Sequence, residues 1–373
     1  MSRRRVLLYS DGPVFSGAER YLLELARGLP KDRFDIELVC AEDGAVDGME
    51  EEARQLGVGT RRLPAIPTLS QRGPFLKVLR YFATNRPDVL HFNLADPRSC
   101  NGAMTAARMA MRSQFVTTEH LPMAEFDDRP LPFRHRLATR NTAMTIVLNE
   151  SCRAAVLARK HTRGRVEVVP NGVADPGEPT PARRLAARAT LGIAEHEGPI
   201  VGWIGRFEDQ KNPDLMVEGV RRVATQRPDV LFVWLGDGTL LEPTQHRIRE
   251  LGFAESCRFY GHLPHGRDVI VACDLLVNTS WFEGMPFTIL EAGIDGVPAL
   301  APKIPGMDAL VADRASGLLI PPGDGDALGE AMIGLLSDTN RLEHLGRVAR
   351  ERVKTLFSLE AMCQRTATLY DEL

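Results

Sequence analysis

Short apolar runs alternate with stretches of helical spacing along most of the chain. Val6-Leu7-Leu8-Tyr9-Ser10 stops at the turn signal Asp11-Gly12-Pro13 and reads as a buried parallel strand. Gly17 to Leu29 places Tyr21, Leu22, Leu25, Ala26 and Leu29 on one helical face. Phe34 to Cys40 is the next strand. Val89-Leu90-His91-Phe92, Phe115-Val116-Thr117-Thr118, Met144 to Leu148 and Val166 to Val169 follow, with helical patterns between. Residues 170–199 then collect Pro170, Asn171-Gly172, Pro176-Gly177, Pro179, Pro181 and Gly198-Pro199 around a short basic helix, the punctuation of an interdomain connection. The alternation restarts at Ile200-Val201-Gly202-Trp203-Ile204. It continues through Leu231 to Leu235, Arg258-Phe259-Tyr260, Leu275-Leu276-Val277, Ala299-Leu300 and Leu318-Leu319-Ile320. Strand–helix alternation of this kind predicts two α/β sheets in tandem, parallel and covered on both faces.

Length agrees with two domains: the chain has 373 residues, and one core rarely grows past about 250–300. No apolar run reaches the ~18–20 residues of a membrane span. The basic start Met1-Ser2-Arg3-Arg4-Arg5 leads into an apolar stretch too short for a secretory leader. Six scattered cysteines without a CxxC pair fit a reducing cytoplasm better than a zinc site or disulfide framework. The net charge of −3 gives no whole-chain argument for nucleic acid. That total hides a split: residues 1–180 hold 26 basic and 22 acidic side chains, and the remainder 20 and 27. The halves therefore face different partners. Arginine's excess over lysine, 40 to 6, reads most simply as codon usage.

In open α/β sheets ligands bind beyond the carboxyl ends of the strands, so the loops after strands carry the chemistry. After the first strand, Ser16-Gly17-Ala18-Glu19 opens a helix. Its free amides suit an anion, or Ser16 and Glu19 form an ordinary capping box. After Trp203-Ile204 comes Gly205-Arg206-Phe207-Glu208-Asp209-Gln210-Lys211. Gly205 lets the backbone approach a ligand; Arg206 and Lys211 suit a diphosphate. Read plainly, it is a solvated turn with Asp209 paired to Lys211. The third loop runs from Ser280 to Ala292. Pro286 stands where a proline at the first helical position would. Glu283 precedes the helix and Glu291 lies two turns inside it, and each carboxylate can accept hydrogen bonds from vicinal hydroxyls. No GxGxxG and no GxxxxGK[ST] occurs.

Glu283 and Glu291 form an E-x7-E pair. With Gly205-Arg206…Lys211 before them and Ser16-Gly17-Ala18-Glu19 near the start, the chain resembles the retaining glycosyltransferases of family 4. Pro87-Asp88-Val89-Leu90-His91, Val169-Pro170-Asn171-Gly172-Val173, Leu235-Gly236-Asp237-Gly238 and Gly317 to Asp324 agree. The likeness covers nearly the whole chain and is most specific in its C-terminal half. It implies the GT-B fold, two Rossmann-like doubly wound domains facing a central cleft. Residues 1–180 would bind the acceptor and 181–357 the nucleotide-sugar donor, with a helix at 358–373 crossing back to the first domain.

The family also implies roles. Arg206 and Lys211 would neutralise the leaving diphosphate, and Glu291 would hold the ribose. Glu283 would contact the donor sugar, with the backbone of Gly284, Met285, Pro286, Phe287 and Thr288, and its free amides, around it. Gly17 would bring its amide near the diphosphate and His120 would line the donor sugar. A hexose would pass, UDP-linked first and GDP-linked next, to a glycan, lipid-linked or small-molecule hydroxyl, with retention by front-face attack and no metal. Asp324-Gly325-Asp326 reads as a helix cap plus a first-turn acid. Departures are Ser16 in place of the usual first glycine, and Pro305-Gly306-Met307-Asp308 where paired glycines are common. A sugar phosphorylase, a sugar-nucleotide epimerase and a non-catalytic sugar-nucleotide binder share the fold and stay open. Residues 72–86 join Arg72, Lys77, Arg80 and Arg86 to Phe75, Leu76, Leu79 and Phe82. They read as an ordinary surface helix or as a peripheral contact with an anionic membrane. Arg129, Arg134, His135, Arg136 and Arg140 are expected near an anionic acceptor. The expected location is cytoplasmic, at the inner face of the membrane if that contact forms.

Overall fold

The computed structural model describes residues 3–373 apart from 43, 67–69, 112–113, 122–132, 134–137, 140–141, 160–163 and 264–265. Arg129, Arg134, His135, Arg136 and Arg140 lie outside the described residues. The chain divides into two units, Met1–Gly172 with Leu359–Leu373, and Val173–Ser358.

The first unit holds β1 (Arg4–Tyr9), β2 (Phe34–Ala41), β3 (Gly59–Leu63), β4 (Val89–Leu94), β5 (Gln114–Glu119), β6 (Met144–Val147) and β7 (Arg165–Val168). All pair in parallel, in the order β3-β2-β1-β4-β5-β6-β7. Its helices are α1 (Gly17–Gly28), α2 (Asp47–Gln55), α3 (Arg72–Thr84), α4 (Asn101–Ala110) and α5 (Glu150–Ala158). Residues Val6 to Tyr9 are buried, as a strand covered on both faces requires. The strand β3 escapes the hydrophobic pattern. It reads Gly-Thr-Arg-Arg-Leu and buries only Leu63, because an edge strand needs little apolar surface.

The helix α3 uses its apolar face inside the unit. Val78 and Phe82 are fully buried, and Phe75, Leu79 and Tyr81 pack against the same core. Lys77 pairs with Glu42 at 2.8 Å. Only Leu76 among its large apolar side chains is exposed, so no broad apolar face is left for a bilayer. The surface-helix reading of residues 72–86 is the one that this packing supports.

The second unit holds β8 (Ile200–Ile204), β9 (Leu231–Leu235), β10 (Cys257–Phe259), β11 (Leu275–Val277), β12 (Ala299–Pro302) and β13 (Gly317–Ile320), parallel and in the order β10-β9-β8-β11-β12-β13. Its helices are α6 (Pro181–Thr190), α7 (Pro213–Gln226), α8 (Leu241–Glu250), α9 (Phe287–Ile294), α10 (Met307–Leu310), α11 (Gly325–Leu336) and α12 (Thr339–Leu356). Trp203, Phe207, Trp234 and Phe259 form an aromatic block in the core, with Trp203 and Phe207 centred 4.7 Å apart. The basic helix between the sheets is no free linker. Arg184 and Arg188 of α6 hold the two oxygens of Asp274 at 2.8 and 3.3 Å, and Arg183 holds Asp295 at 2.8 Å.

The final helix α13 (Leu359–Asp371) belongs to the first unit. Met362, Cys363, Ala367, Leu369 and Tyr370 are buried. The Tyr370 hydroxyl lies 2.5 Å from Nδ1 of His91. Gly28 of α1 makes room for Cys363, since a Cβ there would sit 2.5 Å from the sulfur. The six cysteines are free and buried.

Candidate active site

Strand order reverses between β8 and β11 in the second unit and between β1 and β4 in the first. At such a switch point the loops leave the sheet in opposite directions and open a crevice beyond the strand ends. The loop Gly205–Lys211 follows β8, and the loop Asn278–Pro286 follows β11. Neighbouring strands thus deliver the two loops singled out from the sequence to one place.

Hydrogen bonds lock the two loops together. The amide of Trp281 donates to the Gln210 carbonyl at 2.9 Å, and Nε2 of Gln210 donates to the Phe282 carbonyl at 3.1 Å. The Trp203 indole donates to Thr279 Oγ1 at 2.8 Å, and that hydroxyl donates to the Lys211 carbonyl at 2.7 Å. At the centre, Nζ of Lys211 donates to Oε1 of Glu283 at 2.5 Å. The same oxygen accepts from Ser280 Oγ at 2.7 Å and Asn278 Nδ2 at 3.4 Å. Oε2 of Glu283 has no protein partner among the described residues, so it remains an acceptor for hydroxyl groups.

This geometry sharpens the local reading. Lys211 pairs with Glu283 and not with Asp209. Arg206 is exposed and donates from Nη2 to Gln210 Oε1 at 3.1 Å, so it is the outward cation of the pair. A second glycine, Gly236, makes a close approach of its own, to the backbone of the Gly205 loop. Gly236 has φ +130°, and a Cβ there would lie 1.9 Å from the Gly205 carbonyl, whereas one at Gly205 would meet only the Lys211 side chain at 3.5 Å. Pro286 is the N-cap of α9 and not its first residue, so Glu291 is the fifth residue of the helix, little more than one turn in.

Gly284, Met285, Pro286 and Phe287 are buried and Thr288 is half-buried. Glu291 is 9% exposed, and Arg267 Nε stands 3.8 Å from its Oε1. Asp324 and Asp326 turn to separate tasks. Asp324 caps α11 by accepting from the Ala327 amide at 2.9 Å, and Asp326 pairs with Arg222. No group of three or more potential metal-binding side chains stands together among the described residues.

In the first unit Ser16 and Glu19 form the capping box. Glu19 Oε2 accepts from the Ser16 amide at 3.1 Å and its hydroxyl at 2.5 Å, and Oε1 accepts from Ser10 Oγ at 2.8 Å. The amides of Gly17 and Ala18 precede the first intrahelical bond, Arg20 N to Ser16 O, and keep the anion-facing option of a helix start. His120 sits just past the end of β5. Its Nε2 contacts Asn93 Oδ1 at 2.7 Å, and Nδ2 of Asn93 donates to the Ala18 carbonyl at 2.9 Å. Asn93 therefore ties His120 to the start of α1. Burial lowers the pKa of His120 to about 3, because charging an enclosed ring is costly. The ring is neutral at physiological pH.

Sequence reasoning did not single out Asn93, Gln210, Arg267, Asn278 or Thr279. Each acts by holding a predicted residue: Asn93, Arg267 and Thr279 through contacts between segments distant in the chain, Gln210 and Asn278 also within their own loops.

Two family models match the chain. One, described as Glycosyltransferase Family 4, spans residues 15–175, and the other, Glycosyl transferases group 1, spans residues 188–352. Together they take in most of the chain, which belongs to the group 1/family 4 glycosyltransferases. An Escherichia coli UDP-Gal:alpha-D-GlcNAc-diphosphoundecaprenol alpha-1,3-galactosyltransferase is 25% identical, with 97% of this chain and 95% of that protein aligned. A D-inositol 3-phosphate glycosyltransferase from Nocardia farcinica is 35% identical over 49% of this chain, which spans only 42% of that relative. Anabaena HepE in complex with UDP-glucose superposes with a TM-score of 0.84 over 100% of both chains at 21% identity. The two parallel-sheet units are those of the GT-B fold.

Proposed function

We propose that the chain transfers a hexose from a nucleotide diphosphate sugar, UDP-linked by preference, to a hydroxyl of a glycan, lipid-linked or small-molecule acceptor, with retention of anomeric configuration. The observation that carries this reading is the Lys211–Glu283 pair at the β8/β11 switch point, beside the outward Arg206 and the start of α9. A diphosphate leaving group develops negative charge as its bond to the sugar breaks. Arg206, Lys211 and the first amides of α9 supply fixed positive potential for that charge. They take the part that a divalent ion plays in other transferases. Glu283 offers Oε2 to sugar hydroxyls, and Glu291 holds the ribose. The resemblance assigns Gly17 and His120 of the first unit to the diphosphate and the donor sugar.

In the proposed step the acceptor oxygen bonds to the anomeric carbon on the face from which the diphosphate departs. The carbon–oxygen bond to the diphosphate breaks with its electron pair, and the departing phosphate oxygen takes the acceptor's proton. UDP complexes of a chain with this fold, and a UDP-galactose-named relative along almost the full length, support the donor class. The test is product stereochemistry: proton NMR of the initial product from an α-linked donor should show an α-linkage. A β-linked product, or a covalent glycosyl adduct on a side chain, overturns the mechanism. Activity abolished by a chelator and restored by manganese overturns its metal independence.

A further inference from the structure

We infer that the second unit carries a saccharide-binding site of its own, a polar bowl floored by Trp281 between the start of α7 and the helix α8. The bowl encloses about 620 Å³, within the range of small-molecule sites. Trp203 and Trp234 are 2% and 0% exposed, whereas Trp281 is 42% exposed. That ring is seated deliberately. Gly323 has φ +74°, and a Cβ there would come within 2.7 Å of the indole ring. Glycine in the Pro321-Pro322-Gly323 turn thus lets the ring lie close over the backbone, with part of its surface toward solvent.

The polar groups around it indicate the ligand. Asp214, Arg247 and Trp281 line the bowl, and among the described residues their polar side-chain atoms have no side-chain partner. Glu218 is engaged by Arg221 at 3.1 Å, and His246 faces Glu250 at 3.5 Å. Free acceptors, free donors and an aromatic face together match a neutral polyhydroxylated ring. Hydroxyls donate to Asp214 and accept from Arg247 and the indole N–H, while the apolar C–H face of the ring covers the indole. The carboxylates of Asp214, Glu218 and Glu250 disfavour a phosphate ligand, and the indole face together with Arg247 favours a hydroxylated ring over a simple cation. The bowl shares a wall with the Gly205–Lys211 loop, because the Trp281 amide is bonded to the Gln210 carbonyl. The site does not depend on the donor assignment.

Acrylamide quenching of tryptophan fluorescence tests it directly, since Trp281 is the accessible indole. The full chain is titrated with maltotetraose, mannotriose, chitotriose and lactose, and with spermidine as the cationic comparison. At least one neutral saccharide should lower the quenching constant twofold or more, saturably, and should still do so in Lys211→Ala. An Asp214→Asn/Arg247→Ala variant with unchanged circular dichroism and melting should lose that protection. The proposal is overturned if no saccharide protects Trp281, if the double variant is protected equally, if Lys211→Ala abolishes protection, or if only spermidine protects.

Discussion

Nζ of Lys211 and Oε1 of Glu283 lie 2.5 Å apart although 72 positions separate them in the chain. Their side chains are 17% and 7% exposed, so the charges are largely withdrawn from water. Removing one member of a buried pair leaves the other uncompensated, at a cost of about 3–5 kcal/mol for full burial. Partial exposure of Lys211 reduces that figure. Lys211→Ala should therefore lower stability by roughly 2 kcal/mol and turnover by about 100-fold or more. In Lys211→Ala/Glu283→Gln stability should return while turnover stays low. Thermal melts and steady-state kinetics on the two variants check both halves. Unchanged turnover in the single variant would refute the site assignment.

At Gly236 the loop after β9 runs against the backbone of the loop after β8. Its φ of +130°, and the 1.9 Å that would separate an added Cβ from the Gly205 carbonyl, leave no room for alanine. Gly236→Ala should cost on the order of 3 kcal/mol and displace the Arg206 loop. Urea denaturation should report the loss, and donor affinity should fall with it. Gly57, also at positive φ but with open space around it, should tolerate alanine at about 1 kcal/mol.

Burial lowers His91 and His120 to about 3, against about 6.5 in an unfolded chain. Between those values the unfolded chain binds protons that the folded chain does not, so stability falls as pH drops from about 6.5 toward 3. Each histidine contributes a slope of up to ~1.4 kcal/mol per pH unit. Urea midpoints measured from pH 7 to pH 4 should decline steadily. His91→Gln should flatten that decline by about one proton's worth.

Tyr370 anchors α13 through its hydroxyl. The partner ring, His91, contacts Thr118 Oγ1 at 2.7 Å through its other nitrogen, so both ends of the imidazole are satisfied. Tyr370→Phe leaves Nδ1 of His91 without its partner and should cost about 1–3 kcal/mol. Differential scanning calorimetry of the full chain is the measurement, and an unchanged melting temperature would contradict the anchoring role.

The strand–helix alternation was legible because parallel strands buried on both faces are continuous apolar runs, as in Val6 to Tyr9. The strand Gly59–Leu63 was not, since an edge strand of glycine, threonine and arginine has no such run. Arg206, Lys211, Glu283 and Glu291 were legible by residue type and order. The pairing of Lys211 with Glu283 was not, because it exists only when β8 lies beside β11. Residues 72–86 show the converse: Phe75, Val78, Leu79 and Phe82 make an apolar face in any helix, and only the packed sheet reveals that the protein covers it.

Transfer as proposed requires a nucleotide diphosphate sugar in the switch-point crevice of the second unit. Thermal-shift titration of the full chain with UDP-, GDP-, ADP- and dTDP-sugars tests this most directly, since a ligand that binds only the folded state raises the melting temperature by mass action. A saturable rise is expected with one nucleotide class, UDP first. Arg206→Ala and Lys211→Ala should shift that response to concentrations tenfold higher or more. A flat response to all four donors, or an identical response in both variants, would contradict it.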